Sequence, residues 1–108
     1  MGSRGKRTIN STTTCTEPDL MKGIDDLLKQ ARENGCYEDE KLNVKKLVDY
    51  VSSINPDEPI KLEYVQMDRA TSGSLTYEGG TWVIRVNQNH NSKRQRFTIL
   101  HELGHYTL

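Results

Sequence analysis

The stretch Phe97-Thr98-Ile99-Leu100-His101-Glu102-Leu103-Gly104-His105-Tyr106 constrains this chain more than any other. Wound as a helix, it places Phe97, Ile99, Leu100, Leu103 and Tyr106 over most of its circumference. Arg94, Thr98, His101 and His105 share the remaining arc. A helix with that much apolar surface must be largely buried, and the polar groups it carries inward need partners. At about 100° per residue, His101 and His105 stand about 40° and one turn apart, so both imidazoles can reach one ion. Glu102 falls about 60° from His105, beside such an ion rather than on it.

Two histidines and an adjacent glutamate in that arrangement are what a helix needs for a zinc peptidase site, with His101 and His105 as ligands and Glu102 as the base that accepts a proton from water. A catalytic zinc takes three protein ligands and keeps one position open. Only Tyr106, Thr107 and Leu108 follow the second histidine, so a third ligand is not evident. His90 would have to fold back along roughly 16 Å of helix to reach His101, and reads as an ordinary loop histidine. Asp68 and Glu78 are carboxylates that only a fold could bring near, and a second copy of the chain could also supply one.

The 108 residues leave room for one small domain, with apolar residues at 33%. Fifteen basic and fifteen acidic residues cancel, so nothing in the charge balance calls for direct nucleic-acid binding. No stretch has the length and apolarity of a membrane span. Arg4, Lys6 and Arg7 are not followed by an apolar run, which argues against a signal peptide and for a cytoplasmic protein. Cys15 and Cys36 lack metal-type spacing and are expected as free thiols.

Residues 1–16 are rich in Gly, Ser, Thr and basic side chains, with too little apolar surface to offset ordering entropy, and are expected to form a flexible arm. Residues 17–108 are expected to form the domain, shortened at its C-terminal end. Thr16 can cap a first helix with Pro18 in its first turn. Leu20, Ile24, Leu27, Leu28 and Ala31 recur at helical spacing before Asn34-Gly35. A polar link from Tyr37 to Lys41 leads to a second helix with the stripe Val44, Leu47, Val48, Val51 and Ile54. After Pro56–Pro59 the period becomes two: Ile60, Leu62 and Tyr64, then Leu75 and Tyr77, then Trp82, Ile84 and Val86 after the Gly79-Gly80 turn. Ser92 and Gln95 fit a capping box for the last helix. Gly104 costs that helix about 1 kcal/mol of propensity relative to Ala, which close packing against a strand would explain. The order argues for an α+β fold: two helices, a small antiparallel sheet of about three strands, then the histidine-bearing helix.

The run Ser92-Lys-Arg-Gln-Arg-Phe-Thr-Ile-Leu-His-Glu-Leu-Gly-His-Tyr106, with the Gly-Gly hairpin and the strand Trp-Val-Ile-Arg-Val-Asn87 before it, closely resembles the ImmA/IrrE-type metallopeptidases. The resemblance runs from about Asn43 to the last residue. Many zinc peptidases share the bare His-Glu-x-x-His; the Arg-x-Arg-Phe-Thr lead-in is far more specific. The resemblance implies a zincin-like half-domain of an intracellular bacterial or phage-type zinc endopeptidase, whose protein substrate would be a transcriptional repressor. His101 and His105 match the zinc histidines and Glu102 the catalytic glutamate. The third ligand of the family, an acidic residue on a later helix, has no counterpart in these residues.

An extended substrate is expected to add to a sheet edge through main-chain hydrogen bonds. The Thr81–Asn87 strand, which leads towards the helix, is the expected edge, with Val83, Arg85 and Asn87 as contacts. Arg94, two turns before His101, is a further candidate for a substrate carboxylate, though a solvated helix start accounts for it as well. Two other readings stand beside the peptidase. One is a non-catalytic protein-binding module with an incomplete zinc site; the other is an oligomer that completes each site between copies.

Overall fold

The computed structural model describes residues 8–10 and 17–107, so Thr16 and the rest of the expected arm lie outside the described residues. In chain order the elements are β1 (Thr8–Asn10), α1 (Glu17–Glu33), β2 (Tyr37–Glu38), β3 (Lys41–Leu42), α2 (Val44–Ser53), β4 (Ile60–Val65), β5 (Gly73–Glu78), β6 (Thr81–Asn87) and α3 (Ser92–Thr107). The fold is α+β, with the helices over one face of a small sheet. No described helix is long and apolar enough to cross a membrane.

The helices follow their stripes. Leu20, Ile24, Leu27 and Ala31 of α1 are buried, and the helix stops where Gly35 takes φ 72° and Cys36 N–H returns to Ala31 O. Asn43 caps α2, its side chain accepting from Lys46 N–H at 3.1 Å. Val44, Leu47, Val48 and Val51 are buried; Ile54, expected on the same stripe, is the C-cap and is half exposed. The stretch expected to be a polar link is instead a two-stranded hairpin, with Asp39 and Glu40 in the left-handed region at its turn.

Two expectations about the sheet need correction. Its order is β1-β5-β6-β4, and β4 runs parallel to β6, with Ile60 opposite Trp82 and Leu62 opposite Ile84. Alternation assigns side chains to faces and says nothing of a strand's neighbour or direction. Parallel pairing unites Ile60 and Leu62 with Trp82, Ile84 and Val86 on the helix face, at the cost of carrying the 66–72 connection across the end of β6. Three residues of the expected arm, Thr8–Asn10, also join the sheet, opposite Thr76, Leu75 and Ser74. Main-chain pairing along the edge of β5 compensates there for the lack of apolar content. The β5–β6 turn is as expected: Gly79 and Gly80 both have positive φ, 58° and 91°.

The core joins Leu75, Trp82, Ile84 and Val86 of the sheet to Leu27, Leu47, Val48, Ile99, Leu103 and Tyr106 of the helices. Burying each large side chain of this set contributes roughly 1.5–3 kcal/mol. Tyr106 also donates to Glu58 O at 2.7 Å, fixing the end of α3 to the turn before β4.

Two glycines let α3 sit close to its neighbours. A Cβ on Gly104 would lie 2.7 Å from Leu20 Cδ1 and 3.1 Å from Ile24 Cγ1. Gly104 therefore packs closely, but against α1 rather than against a strand. A Cβ on Gly73 would lie 2.5 Å from Arg85 O and 2.6 Å from Thr98 Cγ2, so the start of β5 is pressed between β6 and α3.

Candidate active site

Asn91, not Ser92, caps α3: its side chain accepts from Arg94 N–H at 2.8 Å and its carbonyl from Gln95 N–H at 2.9 Å. Gln95 turns its amide to Asn87 O, so the expected capping box does not form. From that start the helix carries Thr98, Ile99, Glu102, Leu103 and His105 into the interior, and leaves His101 partly exposed. Phe97, expected on the apolar face, is 63% exposed and lies against His101, with ring centroids 6.2 Å apart.

His101 Nε2 and His105 Nε2 are 3.1 Å apart, with their rings edge to face. Two nitrogens held by one zinc at about 2.0–2.1 Å and a near-tetrahedral angle are separated by about 3.1–3.4 Å, so the pair fits two ligand positions. His105 is buried, and this burial together with the neighbouring His101 lowers its pKa. Neutral imidazole is the form that binds metal.

Glu102 has no accessible surface, and neither carboxylate oxygen has a hydrogen-bond partner among the described residues. Burial pushes its carboxyl up to about 8. A buried carboxyl without a donor is costly to retain in a structural role. Beside two converging imidazoles, it suits a proton acceptor that becomes useful once a cation lowers the cost of its charge.

His101 and Glu102 border a pocket of about 400 Å³, lined also by Ser72, Arg94, Phe97 and Thr98; His105 is not in its lining. A larger cleft of about 470 Å³ lies at the starts of α2 and α3, lined in part by Glu38, Lys41, Lys45, Tyr64 and Arg96. No histidine reaches it, so the smaller pocket holds the candidate chemistry.

The structure does not bring the expected β6 contacts to this pocket. With β5 on one side and β4 on the other, β6 has no free edge. Val83 is 4% exposed. Arg85 lies on the polar face, donating to Glu63 at 3.1 Å and to both oxygens of Glu78 at 2.6 and 2.8 Å. That guanidinium, followed by the Thr76 hydroxyl, holds the Glu78 carboxyl down to about 2. Asn87 is fully buried and positions a loop: its amide donates to Asp68 O and Thr71 O, and its own N–H donates to Ser72 O. This makes Asn87 a support of the pocket wall at Ser72. Its signal in the sequence, a polar residue closing an apolar strand, does not separate substrate contact from loop support.

Arg94 does line the pocket, 3.4 Å from Ser72 Oγ. His90 is held in its loop, with Nε2 3.0 Å from Arg69 O. Among the described residues no three His, Cys, Asp or Glu side chains are grouped to hold a metal. Sequence reasoning missed Phe97 and Ser72 as pocket residues, since a helix wheel does not show where its neighbours stop.

Residues 57–108 match the family model of the peptidase M78 type, described as the IrrE N-terminal-like domain. The match, just under half of the chain, supports an ImmA/IrrE-type assignment for this part of it. The match covers β4, β5, β6 and α3, including the 66–72 connection and the helix that line the pocket, and leaves β1, α1, β2, β3 and α2 outside it. No curated protein and no solved structure matches the chain significantly.

Proposed function

We propose that this chain carries the zinc-binding helix and substrate groove of an endopeptidase that cuts an extended segment of an intracellular protein, a transcriptional repressor being the substrate the family resemblance suggests. The observation that supports this most is a buried carboxyl with no hydrogen-bond partner among the described residues, on one helix with two imidazole nitrogens 3.1 Å apart and lining a pocket with one of them, His101. His101 and His105 would hold the metal, which when bound supplies Lewis-acid polarisation and a more acidic water. Glu102 accepts the proton from the attacking water and returns it to the leaving amine. Arg94 supplies a cation at the pocket mouth for a substrate carboxylate, and Phe97 an aromatic wall for an apolar side chain.

The expected strand-binding edge moves from β6 to β5. Gly73 begins β5, touches Thr98 of α3 and follows Ser72 in the pocket lining, so main chain added along β5 reaches the pocket directly. The free edge of β4 lies on the far side of β6.

Zinc titration and cleavage of an unfolded protein test this reading. His101→Ala and His105→Ala should each weaken zinc binding, while Glu102→Gln should retain zinc and lose cleavage. Cleavage that survives Glu102→Gln would remove the assigned role. The third ligand would come from outside the grouping described above. If a second copy supplies it, zinc affinity should rise with protein concentration. A non-catalytic binding module predicts weak zinc, no cleavage, and partner binding that is unchanged by either histidine substitution.

A further inference from the structure

The edge of β5 that leads to the pocket carries a strand of the chain itself. Thr8, Ile9 and Asn10 run antiparallel to it, opposite Thr76, Leu75 and Ser74. Antiparallel pairing alternates, so a residue bonded to one neighbour turns its N–H and C=O away from the other. Asn87 N–H donates to Ser72 O, which places residues 72, 74, 76 and 78 in bonded pairs with β6. Gly73, Leu75 and Tyr77 therefore direct their main-chain groups outward. Leu75 meets Ile9, while the outward groups of Gly73 lie past the described residues of β1. A strand continued in the register of β1 comes opposite Gly73 and then Ser72, at the lining of the pocket. The direction and register that bring an extended polypeptide to His101 and Glu102 are thus those already taken by Thr8–Asn10.

We propose that Thr8–Asn10 is a resident competitor strand, occupying the part of the β5 edge through which an extended substrate enters the pocket. Substrate must displace it, so the segment sets the threshold for entry and favours chains that pair along more of the β5 edge than it does. The inference rests on the peptidase reading for its consequence, but the strand exchange itself can be measured without catalysis.

The test uses the full chain, and a synthetic peptide with the sequence of residues 5–14 as the probe. Ile9→Pro removes the N–H facing Leu75, whereas Asn10→Pro replaces an N–H that points away from β5 and serves as the matched control. In the metal-free protein the Leu75 amide should be protected from exchange in wild type and Asn10→Pro and lose protection in Ile9→Pro, with Ile84 and Val86 protected in all three. The probe should bind Ile9→Pro roughly tenfold more tightly than wild type, the effect of releasing one or two ladder bonds. Should Ile9→Pro unfold, nuclear magnetic resonance of the wild type decides: probe binding must shift the Thr8–Asn10 amide signals to those of a released strand. Equal Leu75 exchange in wild type and Ile9→Pro, equal probe affinity, or Thr8–Asn10 signals that do not move on probe binding would overturn the proposal, even if zinc-dependent cleavage were intact. Strand exchange with no cleavage in any variant would uphold it and remove the catalytic reading instead.

Discussion

Glu78 and Glu102 are the same residue type at two places in one small fold, and they are held in opposite ways. Glu78 lies on the polar face of the sheet, bonded to Arg85 and Thr76, with its carboxyl held down to about 2. Glu102 is buried without a hydrogen-bond partner among the described residues, with its carboxyl pushed up to about 8. The first cluster is complete in itself and needs no ligand to account for it. The second has no such partner among the described residues, and it is the one that the proposed chemistry uses.

The most severe test of this contrast is catalytic. Glu102→Gln keeps the shape and removes the base, and should lower peptide turnover by about 10²–10⁴, read as initial rate with zinc content measured alongside. The corresponding change at Glu78 should leave turnover intact. An equal loss at both positions would erase the distinction.

Stability against pH gives the next largest effect. The carboxyl of Glu102 is raised in the folded chain from its ordinary value of 4.5 to about 8 by burial, so the folded state binds the extra proton in that window. The metal-free protein should therefore lose stability as pH rises from about 4.5 to about 8, by on the order of a few kcal/mol from this group. Denaturant melts should show the slope flattened in Glu102→Gln. Glu78 predicts the reverse sign: its contribution is present above about 4.5 and is lost as pH falls towards about 2.

Gly73→Ala should cost about 1–3 kcal/mol by overpacking, since the added carbon meets a backbone oxygen and Thr98 at once. A melt shows the loss, and weaker probe binding should accompany it if the start of β5 forms the groove. Arg85→Ala should give the smallest effect, a minor shift in melting with the pocket unchanged, because its partners stand at a surface where water replaces them.

The helices were legible because their stripes are continuous: Leu20, Ile24, Leu27 and Ala31 in α1, and Val44, Leu47, Val48 and Val51 in α2, are all buried. Trp82, Ile84 and Val86 were legible as a strand face for the same reason. The direction of β4 was not, since Ile60 and Leu62 would face the core equally well in an antiparallel strand. Nor was the role of Asn87, whose partners lie in the 68–72 loop. The burial of Ile54 and Phe97 was overstated, because periodicity carries no information about where a helix leaves its neighbours.

By itself the sequence determined the helix that brings His101, Glu102 and His105 together. Their geometry is local, set by 3.6 residues per turn and independent of distant contacts. Tertiary structure alone decided the rest: that Glu102 has no hydrogen-bond partner among the described residues, that β6 is interior, and that β5 leads to the pocket with Thr8–Asn10 along its edge. Each depends on which segments meet across the fold, and pairing of that kind is set by the packing of the whole chain rather than by the period of any one stretch.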